Sequence, residues 1–122
     1  MSIELPQIIA EHIAAINDSD LDRATATFAT DAYVATQKEA RGLQAVRALL
    51  TKEFIDDHVT LEVRAVIAHH GDVIVRLKYD GTYDKSKLPD PLIMTSYFSL
   101  REGRISTMIV IFTGPSETAE AT

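Results

Sequence analysis

From Val59 onward the hydrophobic period of the chain becomes two and holds almost to the end. Val59, Leu61, Val63, Ala65 and Ile67 alternate with Thr60, Glu62, Arg64 and Val66, and Val73, Val75, Leu77 and Tyr79 alternate with Ile74, Arg76, Lys78 and Asp80. That period sends successive side chains of an extended chain to opposite faces, so each run predicts a strand. Leu92 to Leu100 and Arg104 to Thr113 predict two more. His70-Gly71-Asp72 and Arg101-Glu102-Gly103 read as tight turns, and Asp84 to Pro91 as a loop rich in Lys, Asp, Ser and Pro. Four strands joined in this way form an antiparallel meander.

The first half supplies helices to cover one face of that sheet. Ile8, Ile9, His12, Ile13 and Ile16 recur at helical spacing, with Pro6 in the first turn, where its missing N–H costs nothing. Asn17-Asp18-Ser19 ends this helix. Ser19 or Asp18 is expected to cap a second, with Asp20 and Asp22 in its first turn and Leu21, Ala24, Thr25 and Phe28 on its inner stripe. So short a link predicts a packed helical hairpin. A brief strand around Tyr33 to Thr36 follows, then a polar loop from Gln37 to Arg41. A third helix after Gly42 carries Leu43, Val46, Leu50 and Phe54 on one side and ends near Asp56-Asp57-His58. Helix, helix, strand, helix and four strands make an α+β arrangement, with helices on one face of a curved antiparallel sheet. With 122 residues, no internal repeat and no linker, residues 1–122 read as one domain, and Pro115 to Thr122 as a frayed tail.

Composition narrows the function classes. There is no cysteine, which removes disulfides, thiolate metal sites, iron–sulfur clusters and thiol nucleophiles. The net charge is −6 and the 12 basic residues are scattered singly, so no nucleic-acid surface is expected. No apolar run approaches the ~20 residues of a membrane span. The N-terminus lacks a basic region and a cleavage site, so the simplest location is the cytoplasm. His69 and His70 are strand neighbours pointing to opposite faces, and His58 sits at a helix end where its cation would suit the dipole. No histidine–carboxylate cluster stands at ligand spacing, so neither metal nor cofactor is expected. No Gly-rich phosphate loop and no nucleophile elbow is present.

His12-Ile-Ala-Ala-Ile-Asn-Asp-Ser-Asp-Leu-Asp22 followed by Phe28-Ala-Thr-Asp-Ala32 resembles the helix pair and following turn of the SnoaL-like group in the nuclear transport factor 2-like superfamily. Arg41-Gly42 before Ala45-Val46-Arg47, and Ser99 to Ile105, resemble its entry to the third helix and its last hairpin. The resemblance spans nearly the whole chain and implies a cystatin-like, cone-shaped barrel closed by about three N-terminal helices, with a small hydrophobic ligand in an internal pocket. Val73, Val75, Leu77, Met94, Ser96, Phe98, Met108, Val110 and Phe112 then face inward. The opposite face is the usual dimer surface of the group, so Ile93, Thr95, Tyr97, Ile109 and Ile111 are expected between two copies.

The superfamily includes ketosteroid isomerases, which move a proton with a carboxylate base and hold the enolate with a tyrosine and a protonated aspartic acid. The resemblance matches those three places to Thr36, His12 and Ser96. Threonine cannot serve as a base at neutral pH, so isomerisation of that kind is not expected. His12, a titratable group on an apolar stripe, becomes the candidate acid/base, with Tyr33, Thr36 and Ser96 orienting a substrate; a half-buried histidine satisfied by backbone or water is the plainer reading. Asp31 reads as a turn carboxylate bonding backbone N–H groups, and Arg41 as a partner for Asp31 or Glu39. Two functions remain open: an isomerase, cyclase, dehydratase or hydrolase acting on a hydrophobic molecule, or a non-catalytic binding or dimerisation module.

Overall fold

The computed structural model describes residues 5–86, 88 and 91–112, with only the backbone of His69 and Phe112 described. The expected tail from Pro115 lies outside the described residues. Helix α1 spans Gln7–Asn17, where the Pro6 carbonyl accepts the first bonds from Ile9 and Ala10 N–H. Helix α2, Leu21–Ala26, is capped by Asp20, whose carboxylate accepts from Arg23 N–H, and not by Ser19 or Asp18. Ser19 is taken up by the reversal between the helices, with φ at 53°, and Asp18 pairs with the Arg23 guanidinium.

Phe28 is not on a helical stripe. It opens strand β1, Phe28–Ala35, which is longer than the expected Tyr33–Thr36 strand. The expected polar loop contains strand β2, Glu39–Arg41, which folds back on β1 as a hairpin. Helix α3, Leu43–Leu50, widens into a π-helical turn at Thr51–Ile55. Strands β3 (Thr60–His69), β4 (Asp72–Asp80), β5 (Leu92–Arg101) and β6 (Arg104–Phe112) form the meander. His70-Gly71 and Glu102-Gly103 all have positive φ, the backbone that two-residue hairpin turns require.

The sheet runs β2-β1-β6-β5-β4-β3. It is curved, mixed and open, and so neither wholly antiparallel nor a closed barrel: β1 lies parallel to β6, and β2 and β3 are edges. A parallel neighbour was not expected, because β1 and β6 are far apart in sequence and no turn signal links them. Alternation along β4–β6 is as read. Val73, Val75, Leu77, Ser96, Phe98 and Met108 are buried beneath the helices, while Tyr97 and Ile111 are exposed on the outer face. Ile9 and Ile16 of α1, Val46 and Leu50 of α3, and Phe28 and Val34 of β1 complete the core. Among the described residues no helix is long and apolar enough to cross a membrane.

Asn17 ties the helical layer to the sheet. Its amide nitrogen donates to the Leu61 carbonyl at 3.1 Å, and its oxygen accepts from Leu61 N–H at 2.6 Å. The side chain thus satisfies two polar groups on the β3 edge that a further strand would otherwise take. Asn17→Ala leaves both unpaired and should lower stability by about 1–3 kcal/mol, read by denaturant unfolding; an unchanged midpoint would show that the edge does not depend on this bond.

Candidate functional site

A cavity of about 550 Å³ opens between the sheet, the π-helical turn and the segment after β4. Register builds its floor. Tyr79 pairs with Leu92 and Leu77 with Met94, while Ser96 pairs with Val110 on its other side, so Tyr79, Leu92, Met94 and Val110 share the inner face. Phe54 and Val59 close one wall, Leu88 and Tyr83 another, and Thr36, Ile109 and Ile111 meet at the end of β6. The surface is mainly apolar, with Glu53, Asp84, Gln37, Thr36 and two tyrosines as its polar groups.

Local chemistry holds these pieces. The Phe54 ring packs 6.1 Å from the Tyr79 ring, fixing the π-helical turn against β4. The Asp57 carbonyl accepts from Thr82 N–H at 2.7 Å and from the Thr82 hydroxyl at 3.0 Å, which ties the start of the Tyr83 segment to the chain after that turn. Gly81 permits this approach, since a Cβ there would stand 2.8 Å from the same carbonyl. The Tyr79 phenol is held neutral: burial pushes its pKa far up, against the pull of a hydrogen bond with Ser96. Asp84 accepts from Ser86 N–H at 2.9 Å, a bond that holds its carboxyl below the usual range.

The structure divides the residues expected at the site. Thr36, Met94 and Val110 line the cavity. Ser96, Phe98 and Met108 lie in the core and are not part of its wall. Tyr33 is turned elsewhere: its hydroxyl donates to Glu39 at 3.3 Å and its ring lies 4.7 Å from the Arg41 guanidinium. The Phe112 side chain lies outside the described residues. Thr36 accepts from Lys38 N–H at 3.2 Å. Asp31 pairs chiefly with Arg101, whose guanidinium holds its carboxyl below the ordinary range, with the expected backbone N–H bond, from its own amide, as a smaller contribution.

His12 is 1% exposed and does not line the cavity. Its ring makes edge contacts with Phe28 at 5.3 Å and Phe98 at 6.0 Å. Its Nδ1 is buried with no partner, and burial lowers its pKa from 6.5 to about 4, so the ring is neutral at physiological pH. The ring is almost fully buried and not half-buried as expected, and among the described residues Nδ1 has no hydrogen-bond partner.

Sequence reasoning missed Glu53, Phe54, Tyr79, Tyr83, Asp84 and Leu92 as cavity residues. Tyr79 and Leu92 were accessible by carrying the β4 alternation one step further and pairing it across to β5. Phe54 closes the α3 stripe. Glu53 and Asp84 carried no periodic signal, since a π-helical turn changes the angular step and Asp84 follows the end of a strand. Among the described residues no group of three or more His, Cys, Asp or Glu could hold a metal ion.

A family model described as a SnoaL-like domain matches residues 9–108. No curated protein matches the chain. Among solved structures, a candidate polyketide cyclase from Sinorhizobium meliloti is 24% identical, with TM-score 0.73 over 87% of this chain and 94% of that one. A cystatin-fold protein from Novosphingobium aromaticivorans is 20% identical, with TM-score 0.73 over 90% and 99%. TerC, co-crystallised with polyporic acid, is 16% identical, with TM-score 0.69 over 93% and 94%.

The buried imidazole makes a signed prediction. The unfolded chain protonates His12 through pH 6.5 while the folded chain resists until about 4, so stability is lost as pH falls across that window. The loss should level near 3 kcal/mol, about 1.4 kcal/mol per pH unit. In His12→Leu this component disappears, and the stability difference between variant and parent should shift by about that amount between pH 7 and 4. Parallel curves for the two proteins would show that His12 does not resist protonation.

Proposed function

The chain belongs to the SnoaL-like domain family, and we propose that it binds a small, mainly apolar molecule in the cavity at the open side of its sheet. The observation that carries this reading is the cavity itself: about 550 Å³, within the size range of small-molecule sites, with apolar walls and a few polar groups at set places. TerC, a fold neighbour, was crystallised with polyporic acid, which supports a small-molecule role for this scaffold.

Binding is favoured over proton shuttling by the isomerase route. His12 is neutral and off the cavity, and position 36 offers a hydroxyl already bonded to the backbone. The non-catalytic alternative is therefore the reading adopted here, with Thr36, Met94 and Val110 among the contacts. Met94→Trp places an indole in the cavity and should weaken binding of an uncharged apolar fluorescent dye such as Nile red at least tenfold, about 1.4 kcal/mol. Equal dye affinity in a folded variant would place the ligand elsewhere.

The functional unit in this proposal is a homodimer through the outer sheet face, formed by Ile93, Thr95, Tyr97, Ile109 and Ile111. Tyr97 is 40% and Ile111 43% exposed, with Ile67 at 46% beside them, an apolar surface that a second copy would cover. Ile109 and Ile111 also edge the cavity, so the partner would stand at its mouth. Light scattering should give twice the monomer mass at micromolar concentration, and Tyr97→Glu with Ile111→Glu should give one; a monomeric parent would refute the interface.

A further inference from the structure

The cavity has an uneven charge. Among the described residues its lining includes Glu53 and Asp84 but no Lys, Arg or His. Several carboxylates outside the cavity are matched: Asp18 holds Arg23, Asp22 holds Arg47, Asp31 holds Arg101 and Asp80 holds Lys85. Glu53 differs. It is half-buried in a mainly apolar wall and makes no hydrogen bond or ion pair among the described residues. A carboxylate drawn part-way out of water beside apolar side chains is costly unless a counter-charge meets it, and the described residues of the wall supply none.

The surrounding rings point the same way. Phe54, Tyr79 and Tyr83 contribute three aromatic faces or edges to the wall. The negative face of such a ring attracts cations, and more strongly where water is excluded. Tyr83 already does so with a neighbour, the Lys85 ammonium standing 5.7 Å from its ring centre, although that lysine is committed to Asp80. Tyr79 is a neutral phenol whose hydroxyl shares a hydrogen bond with Ser96, so it brings no charge of its own to the wall.

We propose that the cavity selects an organic cation, an apolar body carrying an ammonium group, with Glu53 as its counter-charge and the rings of Phe54, Tyr79 and Tyr83 around it. Asp84 at the rim supplies a second, weaker negative field. The inference rests on the small-molecule reading above and adds the charge of the ligand to it.

Three probes with one apolar body separate the two: naphthylmethylamine, naphthylmethanol and naphthoate, titrated calorimetrically at neutral pH and low salt. The amine should bind about tenfold more tightly than the alcohol, and the carboxylate most weakly. In Glu53→Gln the amine-to-alcohol ratio should fall toward one, and in Asp84→Asn it should fall less, with thermal melts confirming that both variants fold. An alcohol that binds as well as the amine overturns the charge selectivity and leaves the small-molecule reading standing. Binding by none of the three overturns both. A ratio unchanged in folded Glu53→Gln overturns the assignment to that residue.

Discussion

Val75, Ser96 and Val110 stand side by side across β4, β5 and β6, and a slip of one residue in either ladder would turn a whole strand inside out. That register decides which side chains meet the helices, which line the cavity and which are left on the outer face. It is pinned at both hairpins by residues in left-handed backbone, at His70-Gly71 and Glu102-Gly103. The helices then have one surface to fit. Ile9 and Ile16 of α1 and Leu50 of α3 fill it, and Asn17 holds the edge.

Because a period of two is visible in any strand with one buried face, β4 to β6 were legible residue by residue, and so was their inner face; β3 was legible as a strand, but a bulge between Val63 and Ala65 shifts its alternation and leaves Ile67 exposed on the outer face. Helices α1 and α3 were legible for the same reason at a different period. β1 was not. Thr30 and Asp31 interrupt its apolar pattern at exposed positions, and its stabilising neighbour is a parallel strand whose pairing no local turn announces. The cavity was legible where it borrows from the sheet, at Met94 and Val110, and at Thr36 just past the end of β1. Its far wall comes from a π-helical turn and the segment after β4, where side-chain direction follows tertiary contacts such as Gly81 against the Asp57 carbonyl.

The interior treats its polar groups in two ways. His12, Tyr79 and Ser96 are buried and uncharged: burial disfavours the charged forms of the imidazole and the phenol, and the phenol shares a hydrogen bond with the Ser96 hydroxyl. Glu53 stays at the cavity edge, with no counter-charge among the described residues. The first group explains why the centre can be closely packed without ion pairs. The second leaves the cavity wall chemically unfinished, in a place where an incoming molecule can complete it.

The parallel ladder between β1 and β6 has a consequence for how the molecule is made. Phe28 is neighbour to Ile105, and Ala35 to Ile109, so the strand made early must wait for the strand made late. During synthesis the hairpins of the meander can close as each emerges, while Val34 and Phe28 remain without their sheet neighbours. Loop closure over so long a stretch is entropically the slowest contact to form. Phe28 and Val34 therefore gain these sheet neighbours only once β6 is in place, and β6 is the described strand that completes the core.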